Sequence, residues 1–185
     1  DHPLSVALGE WVIDTALAQM AHWHAQGLDL PVSVNVGARQ LQMSGFATQL
    51  SALLASHPTV APSWLELEVL ETSAVEDMAQ VHRVMHACHG LGVRFALDDF
   101  GTGYSSLTYL KHLPADTLKI DRSFVQGMLG DPNDQAIVEG IIGLANAFRR
   151  QVIAEGVETQ AHGARLLELG CELAQGYRIA QPMPA

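Results

Sequence analysis

Two adjacent carboxylates, Asp98 and Asp99, stand at the end of an apolar segment and are followed at once by the loop FGTGYSS. Like charges this close repel, and each raises the pKa of the other unless a cation neutralises them. Little positive charge lies nearby in the sequence. A simple turn is one interpretation, since aspartate and glycine are turn residues. The two glycines and small hydroxyls of the loop favour instead a mobile segment that closes over a ligand.

Further polar side chains stand at or near the ends of other strand-like segments, namely Asn35, Glu68, Lys119, Glu155 and Gln175. Each has an ordinary structural interpretation. An amide such as Asn35 often satisfies a buried hydrogen bond, a lysine between apolar residues often reaches the surface, and Glu155 and Glu158 are placed to cap the next helix. Gln175 is equally compatible with a plain strand terminus. These separate interpretations weaken when six successive strand ends carry such side chains.

The chemistry of these side chains favours a metal site. Carboxylate and amide oxygens suit Mg²⁺ or Mn²⁺ rather than zinc. Two such ions that share a carboxylate would neutralise Asp98 and Asp99. A pair of ions of this kind activates water and stabilises the leaving oxygen in phosphodiester cleavage.

Three histidines also occur at helical spacing, His82, His86 and His89. The apolar stripe of the same helix consists of Val81, Val84, Met85 and Cys88. Because the histidines fall beside that stripe, the pattern predicts a solvated helix face rather than a metal site.

The elements that must position these residues alternate between strand and helix. The sequence predicts strands at 31–37, 64–70, 93–99, 116–120, 151–155 and 171–176. It predicts helices at 5–25, 47–56, 75–90, 105–112, 122–129, 134–148 and 159–169. This alternation indicates an α/β protein with a parallel sheet.

An open doubly wound sheet and a TIM-like (β/α)8 barrel are both compatible with this alternation. Only the barrel lets six strand ends converge on one face, so we expect a single barrel domain over 1–185. A barrel needs eight strands, and six are visible. We therefore expect that the chain is a fragment and that the first two strands are absent from it.

Composition limits the classes of function. The chain has 185 residues and a formal net charge of −10, which argues against binding a nucleic acid polymer. Its two cysteines, Cys88 and Cys171, fit no metal or redox spacing. We expect a cytoplasmic location, with a membrane tether outside this chain as an open alternative.

Five segments closely resemble the EAL domains, bacterial phosphodiesterases of cyclic di-GMP. These segments are SVNVGARQL, LELEVLETS, FALDDFGTGYSSLTYLKHLPADTLKIDRSFV, VIAEGVET and LGCELAQGYRIAQPMP. The resemblance covers essentially the whole chain. It implies a metal-dependent hydrolysis of cyclic di-GMP to linear pGpG, with two Mg²⁺ or Mn²⁺ ions as cofactors.

The resemblance also implies residue roles. Metal ligands would be Asn35, Glu68, Asp98, Asp99 and Glu155, with Asp98 bridging the two ions. Catalytic roles would fall to Lys119 near the attacking water, to Glu155 as a helping base, and to Glu71, which braces the loop after Asp99. Substrate contacts would come from Glu158, Gln175 and Asp121.

The sequence departs from the family pattern in two ways. The Glu-Ala-Leu motif is absent, which we attribute to the missing strand, and Leu70 replaces the usual threonine between Glu68 and Glu71. The alternative function is a catalytically weak or inactive cyclic di-GMP receptor. The resemblance further implies a homodimer through the loop after Asp99 and a fused sensor or diguanylate cyclase domain.

Overall fold

The computed structural model describes residues 4–71, 78–103 and 107–184, without the side chains of 107–109. Its helices are α1 (Leu4–Ala25), α2 (Ala38–Gln42), α3 (Phe46–Ser56), α4 (Met78–His89), α5 (Leu107–His112), α6 (Arg122–Gly127), α7 (Pro132–Ala147) and α8 (Gln160–Glu168). Its strands are β1 (Val32–Asn35), β2 (Leu65–Leu70), β3 (Arg94–Phe100), β4 (Thr117–Ile120), β5 (Gln151–Ala154) and β6 (Leu173–Ala174), and a 3₁₀ turn covers Pro62–Trp64.

The six strands form one sheet in chain order, β1-β2-β3-β4-β5-β6. The pairs β1–β2, β4–β5 and β5–β6 are parallel. The predicted α/β architecture with a parallel sheet is confirmed. Parallel neighbours in chain order require a crossover connection, and helices supply these connections. The eight-stranded barrel remains a prediction.

The chain divides into two compact units, 1–96 with 108–115 and 97–107 with 116–185. The first unit contains α1 to α4, β1 and β2. The buried face of α1 consists of Ile13, Leu17 and Met20. The buried face of α4 is Val81, Val84, Met85 and Cys88, as predicted.

The second unit contains β4, β5 and β6 with α6, α7 and α8. All four residues of β4 are buried, and α7 packs on β4 and β5 through an apolar face that includes Val138, Ile142 and Ala145. Asp131 caps the start of α7, where its carboxylate accepts a hydrogen bond from the Asn133 N–H at 2.8 Å.

The sequence-based prediction missed two short elements, α2 and the 3₁₀ turn, because neither is long enough to show a periodic apolar pattern. The predicted starts of two helices, at 75 and 105, fall on residues outside those described. No helix in the described ranges combines the length and the apolar character needed to cross a bilayer.

Candidate active site

The centre of the candidate site is a cluster of three carboxylates. Asp98, Asp99 and Glu155 each offer an oxygen, and these oxygens all lie within 4.8 Å of one another. Adjacent strand residues normally point to opposite faces. Asp99 lies near the end of β3 with φ of 52°, in the left-handed region, at a cost of about 1–2 kcal/mol. This break in the regular strand conformation explains how both aspartates reach one centre.

A buried lysine partly neutralises the cluster. Lys119 is 4% exposed in β4, and its Nζ lies 2.6 Å from Glu155 Oε1 and 3.2 Å from Asp98 Oδ1. The interpretation of Lys119 as a surface lysine is therefore wrong. One ammonium against three carboxylates leaves a formal excess of negative charge, which favours binding of a further cation.

Asp99 and Asp121 have opposite pKa shifts. Burial, a hydrogen bond with Asp121 and the charges of Asp98, Asp121 and Glu155 raise the pKa of Asp99 to about 6. Burial works against ionisation of Asp121 too, but hydrogen bonds from Ser123 and Asp99 outweigh it and lower its pKa. Asp121 also caps α6, since it accepts a hydrogen bond from the Ser123 N–H at 2.9 Å. In the metal-free protein, Asp99 therefore retains a proton more readily than Asp121 does.

A cavity of about 240 Å³ adjoins the cluster, because Glu155 belongs to both. Its lining includes two residues predicted to contact substrate, Glu158 and Gln175. The Glu158 carboxylate accepts a hydrogen bond from Gln126 Nε2 at 2.9 Å. Neither Glu155 nor Glu158 caps the following helix α8. The N-cap of α8 is Thr159, whose hydroxyl accepts a hydrogen bond from the His162 N–H.

Sequence reasoning missed three residues of this cavity, Arg122, Gln126 and Tyr177. Arg122 and Gln126 lie one turn apart on α6, and Tyr177 follows Gln175 and Gly176. Arg122 had a usable signal, because it is a cation placed just after the polar end of β4. Gln126 and Tyr177 carried no such signal, since exposed polar and aromatic residues are common on helices and loops.

Gly176 lines this cavity, and its backbone packs closely against the backbone of Val157. A Cβ at this position would lie 2.3 Å from Val157 O and 2.4 Å from Val157 N. The contact is fixed on both sides, because Val157 N donates to Gln175 O and Arg178 N donates to Val157 O. Space for a side chain therefore requires the backbone between Glu155 and Glu158 to move.

We expect Gly176→Ala to destabilise the protein by about 1–3 kcal/mol, the usual cost of overpacking, and to weaken ligand binding in the cavity. Chemical denaturation and a binding assay measure the two effects. Gly163→Ala in α8 is the matched control, since its nearest neighbour would be 4.0 Å away. That control should gain about 0.5–1 kcal/mol, as alanine does over glycine in a helix. Equal effects of the two substitutions would contradict this account of Gly176.

In the first unit, Asn35 and Glu68 are partners in the register of β1 and β2. Asn35 is exposed at the last position of β1, and Glu68 is 8% exposed. Glu71 is fully buried just after β2, whereas Leu70 between these glutamates is 40% exposed. Leu70 therefore does not fill the core. The metal and bracing roles predicted for Asn35, Glu68 and Glu71 remain predictions.

The comparison with protein families matches the EAL domain model over residues 1–182. The chain belongs to the EAL domain family. It is 42% identical to the bifunctional diguanylate cyclase/cyclic di-GMP phosphodiesterase MucR of Pseudomonas aeruginosa, over 98% of this chain and 27% of MucR. It is 40% identical to the cyclic di-GMP phosphodiesterase PA2567 of the same organism, over 95% of this chain and 30% of PA2567. The chain thus spans less than a third of the length of these relatives.

Solved structures of EAL domains share the fold. The structure of the PaMucR phosphodiesterase in complex with c-di-GMP matches with a TM-score of 0.93 and 42% identity, over 98% of this chain and 74% of that one. The FimX EAL domain of Pseudomonas aeruginosa bound to c-di-GMP matches with a TM-score of 0.88 and 26% identity, over 96% of this chain and 71% of that one.

The donor set of this EAL domain fits a hard divalent cation. All three clustered donors are carboxylate oxygens, the ligands that Mg²⁺ and Mn²⁺ prefer. Among the described residues, no donor makes a hydrogen bond to the buried Asp98 Oδ1, and its contact there is the ion pair with Lys119. One ammonium at 3.2 Å leaves this buried oxygen with further acceptor capacity, which a bound cation would use.

Proposed function

We propose that this EAL domain hydrolyses one phosphodiester bond of cyclic di-GMP to give linear pGpG, and that the reaction requires two Mg²⁺ or Mn²⁺ ions. The observation that carries the proposal is the carboxylate cluster with Lys119, which shares Glu155 with a polar cavity. Relatives named as cyclic di-GMP phosphodiesterases support the choice of substrate.

Asp98, Asp99 and Glu155 would hold the metal, with Asn35 and Glu68 as the further proposed ligands. When bound, the ions lower the pKa of water and stabilise charge on the phosphoryl oxygens. Asp98 is the proposed ligand that would be shared by the two ions. Asp121 positions Asp99 through their hydrogen bond.

Glu155 and Lys119 form the proposed proton-handling pair. The Glu155 carboxylate accepts a proton from the attacking water, and the Lys119 ammonium at 2.6 Å stabilises the charged carboxylate before that transfer. The same ammonium orients both Glu155 and Asp98, because its ion pairs span the two. A buried lysine is well suited to this task, since it is held in one geometry without competing water.

The cavity residues match the chemistry of the proposed substrate. Glu158 and Gln175 offer hydrogen-bond acceptors for guanine, whose N–H groups are donors. Arg122 offers a cation for a phosphate in a chain whose net charge is −10. We propose that these residues bind substrate and that Glu71 braces the loop after Asp99.

The remaining parts of the proposal concern the whole protein. We propose that an eight-stranded barrel is completed by residues outside this sequence, and that fused sensor or diguanylate cyclase domains control it. The relative MucR is named as a diguanylate cyclase as well as a phosphodiesterase, which supports a fusion of this kind. We also propose a homodimer through the loop after Asp99, of which residues 104–106 lie outside those described. A cytoplasmic location is proposed because Cys88 and Cys171 are both free thiols.

The test is product analysis with the full-length protein. The protein is incubated with cyclic di-GMP in Mg²⁺, in Mn²⁺ and in EDTA, and the nucleotides are separated by chromatography. We expect pGpG in either metal and none in EDTA. If cyclic di-GMP binds but is not hydrolysed in either metal, the result would contradict the enzyme and favour a receptor. A receptor is the second candidate function because the FimX EAL domain was solved bound to c-di-GMP. Product formation in EDTA would contradict the metal requirement.

Metal affinity should fall as the pH drops through about 6. Asp99 has a pKa near that value in the metal-free protein, and a metal binds only the deprotonated carboxylate, so protons and metal compete. Binding at pH 6 should also release part of a proton. Titration calorimetry in buffers of different ionisation enthalpy measures both quantities. Asp99→Asn removes the titrating group but tolerates the left-handed backbone, so its residual binding should lack the pH step. If the metal affinity were the same one pH unit below and one pH unit above the Asp99 pKa, the expectation would be contradicted.

A further inference from the structure

Helix α4 places two histidines side by side. His82 and His86 are four residues apart, and their ring centroids lie 4.3 Å from each other at an interplanar angle of 59°. Residues four apart lie on one face of a helix. Two imidazoles in this arrangement can direct one nitrogen each to a common point, which is the geometry that helical zinc sites use.

A third histidine adjoins the pair. His112 at the end of α5 lines the same cavity as His82, together with Met78, Ala79 and Leu113, and the cavity has a volume of about 330 Å³. The His82 ring makes a hydrogen bond to the backbone of His112. A ring nitrogen held by a backbone group fixes the orientation of the imidazole and leaves the other nitrogen as the ligand. Protein metal sites commonly support their histidines in this way.

The charge state of His82 suits metal binding. Burial lowers the pKa of His82, and the neighbouring positive charges of His86, His112 and Arg83 lower it further. Neutral imidazole is the form that binds a metal. The sequence pattern predicted a solvated face for these histidines, which holds for His86 and His89, whereas His82 is half-buried.

We propose that His82 and His86, with His112 beside them, form a binding site for a nitrogen-preferring divalent cation such as Zn²⁺ or Cu²⁺. The site uses none of the residues of the carboxylate cluster. Its donors are imidazole nitrogens, which select Cu²⁺, Ni²⁺ and Zn²⁺ over Mg²⁺. Within the described ranges, the carboxylate cluster alone brings three candidate donors within 4.8 Å of one another. The histidine site is therefore a chelate of two imidazoles completed by water.

The test uses untagged full-length protein with Cu²⁺ as the probe and excess Mg²⁺ to occupy the carboxylate cluster. Electron paramagnetic resonance should show nitrogen couplings on bound Cu²⁺, and a competition titration gives the affinity. His86→Asn should weaken Cu²⁺ binding at least tenfold and remove one nitrogen coupling. His86 is exposed, so this substitution leaves the core intact. His82→Asn should have the same effect on binding, with circular dichroism as the check on folding.

His89→Asn on the same helix is the matched control, since His89 is exposed and outside the pair. It should leave the Cu²⁺ affinity unchanged. Binding that survives both His86→Asn and His82→Asn, or that falls equally in His89→Asn, would overturn the proposal. Loss of Cu²⁺ binding on adding Mg²⁺ alone would also overturn it, because that result would place the ion on the carboxylates.

Discussion

Replacing Lys119 by methionine is expected to destabilise the metal-free protein by about 3–5 kcal/mol, the usual cost of removing one partner from a buried ion pair. The Lys119 side chain is 5% exposed, and its partners Asp98 and Glu155 are 13% and 19% exposed. Methionine keeps the volume of the chain but leaves three carboxylates without the ammonium. Denaturation in EDTA measures this loss. Mg²⁺ should restore more stability to the variant than it adds to the wild type, because the ion replaces the missing charge.

The same substitution should lower the turnover of cyclic di-GMP by about 10²–10⁴-fold, the range seen when a proton-transfer group loses its support. Lys111→Met is the control, since Lys111 is exposed on α5 and should change neither property by much. A Lys119→Met protein with normal stability in EDTA would show that the ion pairs contribute nothing. Normal turnover in Mg²⁺ would remove Lys119 from the mechanism.

Asp98→Asn is expected to lower catalysis through the metal site. It removes one carboxylate of the cluster while keeping the shape of the side chain, and the fold should persist because Lys119 remains paired with Glu155. We expect turnover to fall at least about 100-fold, since even residues that only support a metal ligand contribute 10–100-fold. The Mn²⁺ concentration needed for half-maximal activity should rise in parallel. Steady-state kinetics over a range of Mn²⁺ concentrations measures both.

Glu10→Gln is the control for Asp98→Asn, because it removes one negative charge from an exposed position on α1. The control should leave the Mn²⁺ dependence unchanged. If Asp98→Asn lost activity without any change in Mn²⁺ dependence or stoichiometry, Asp98 would act on the substrate and not as a metal ligand. If both variants shifted the Mn²⁺ dependence equally, the effect would be one of net charge.

Much of this arrangement could be read from the sequence, because its signals are periodic. The buried stripe of α4 followed from spacing alone, and alternation of strand and helix predicted the parallel sheet. The approach of Asp98, Asp99 and Glu155 followed from the rule that parallel strands end at the same edge.

Other features depend on local geometry that one-dimensional patterns do not carry. The left-handed backbone of Asp99 is uncommon for a residue other than glycine, and the general tendency of aspartate toward this region does not locate it at one position. Whether Lys119 lies in the core or reaches the surface depends on which face of β4 is covered. The packing of His82 against His86 and the approach of His112 depend on how α4 and α5 meet.

The most direct test of the central claim is to locate the ions. Crystals of the full-length EAL-containing protein would be soaked in Mn²⁺, and anomalous scattering at the manganese edge would show each bound ion. The account predicts two manganese peaks, with Asp98 coordinating both and with Asp99 and Glu155 among the ligands. Crystals that contain no manganese at this cluster, at a Mn²⁺ concentration that supports hydrolysis in solution, would contradict it.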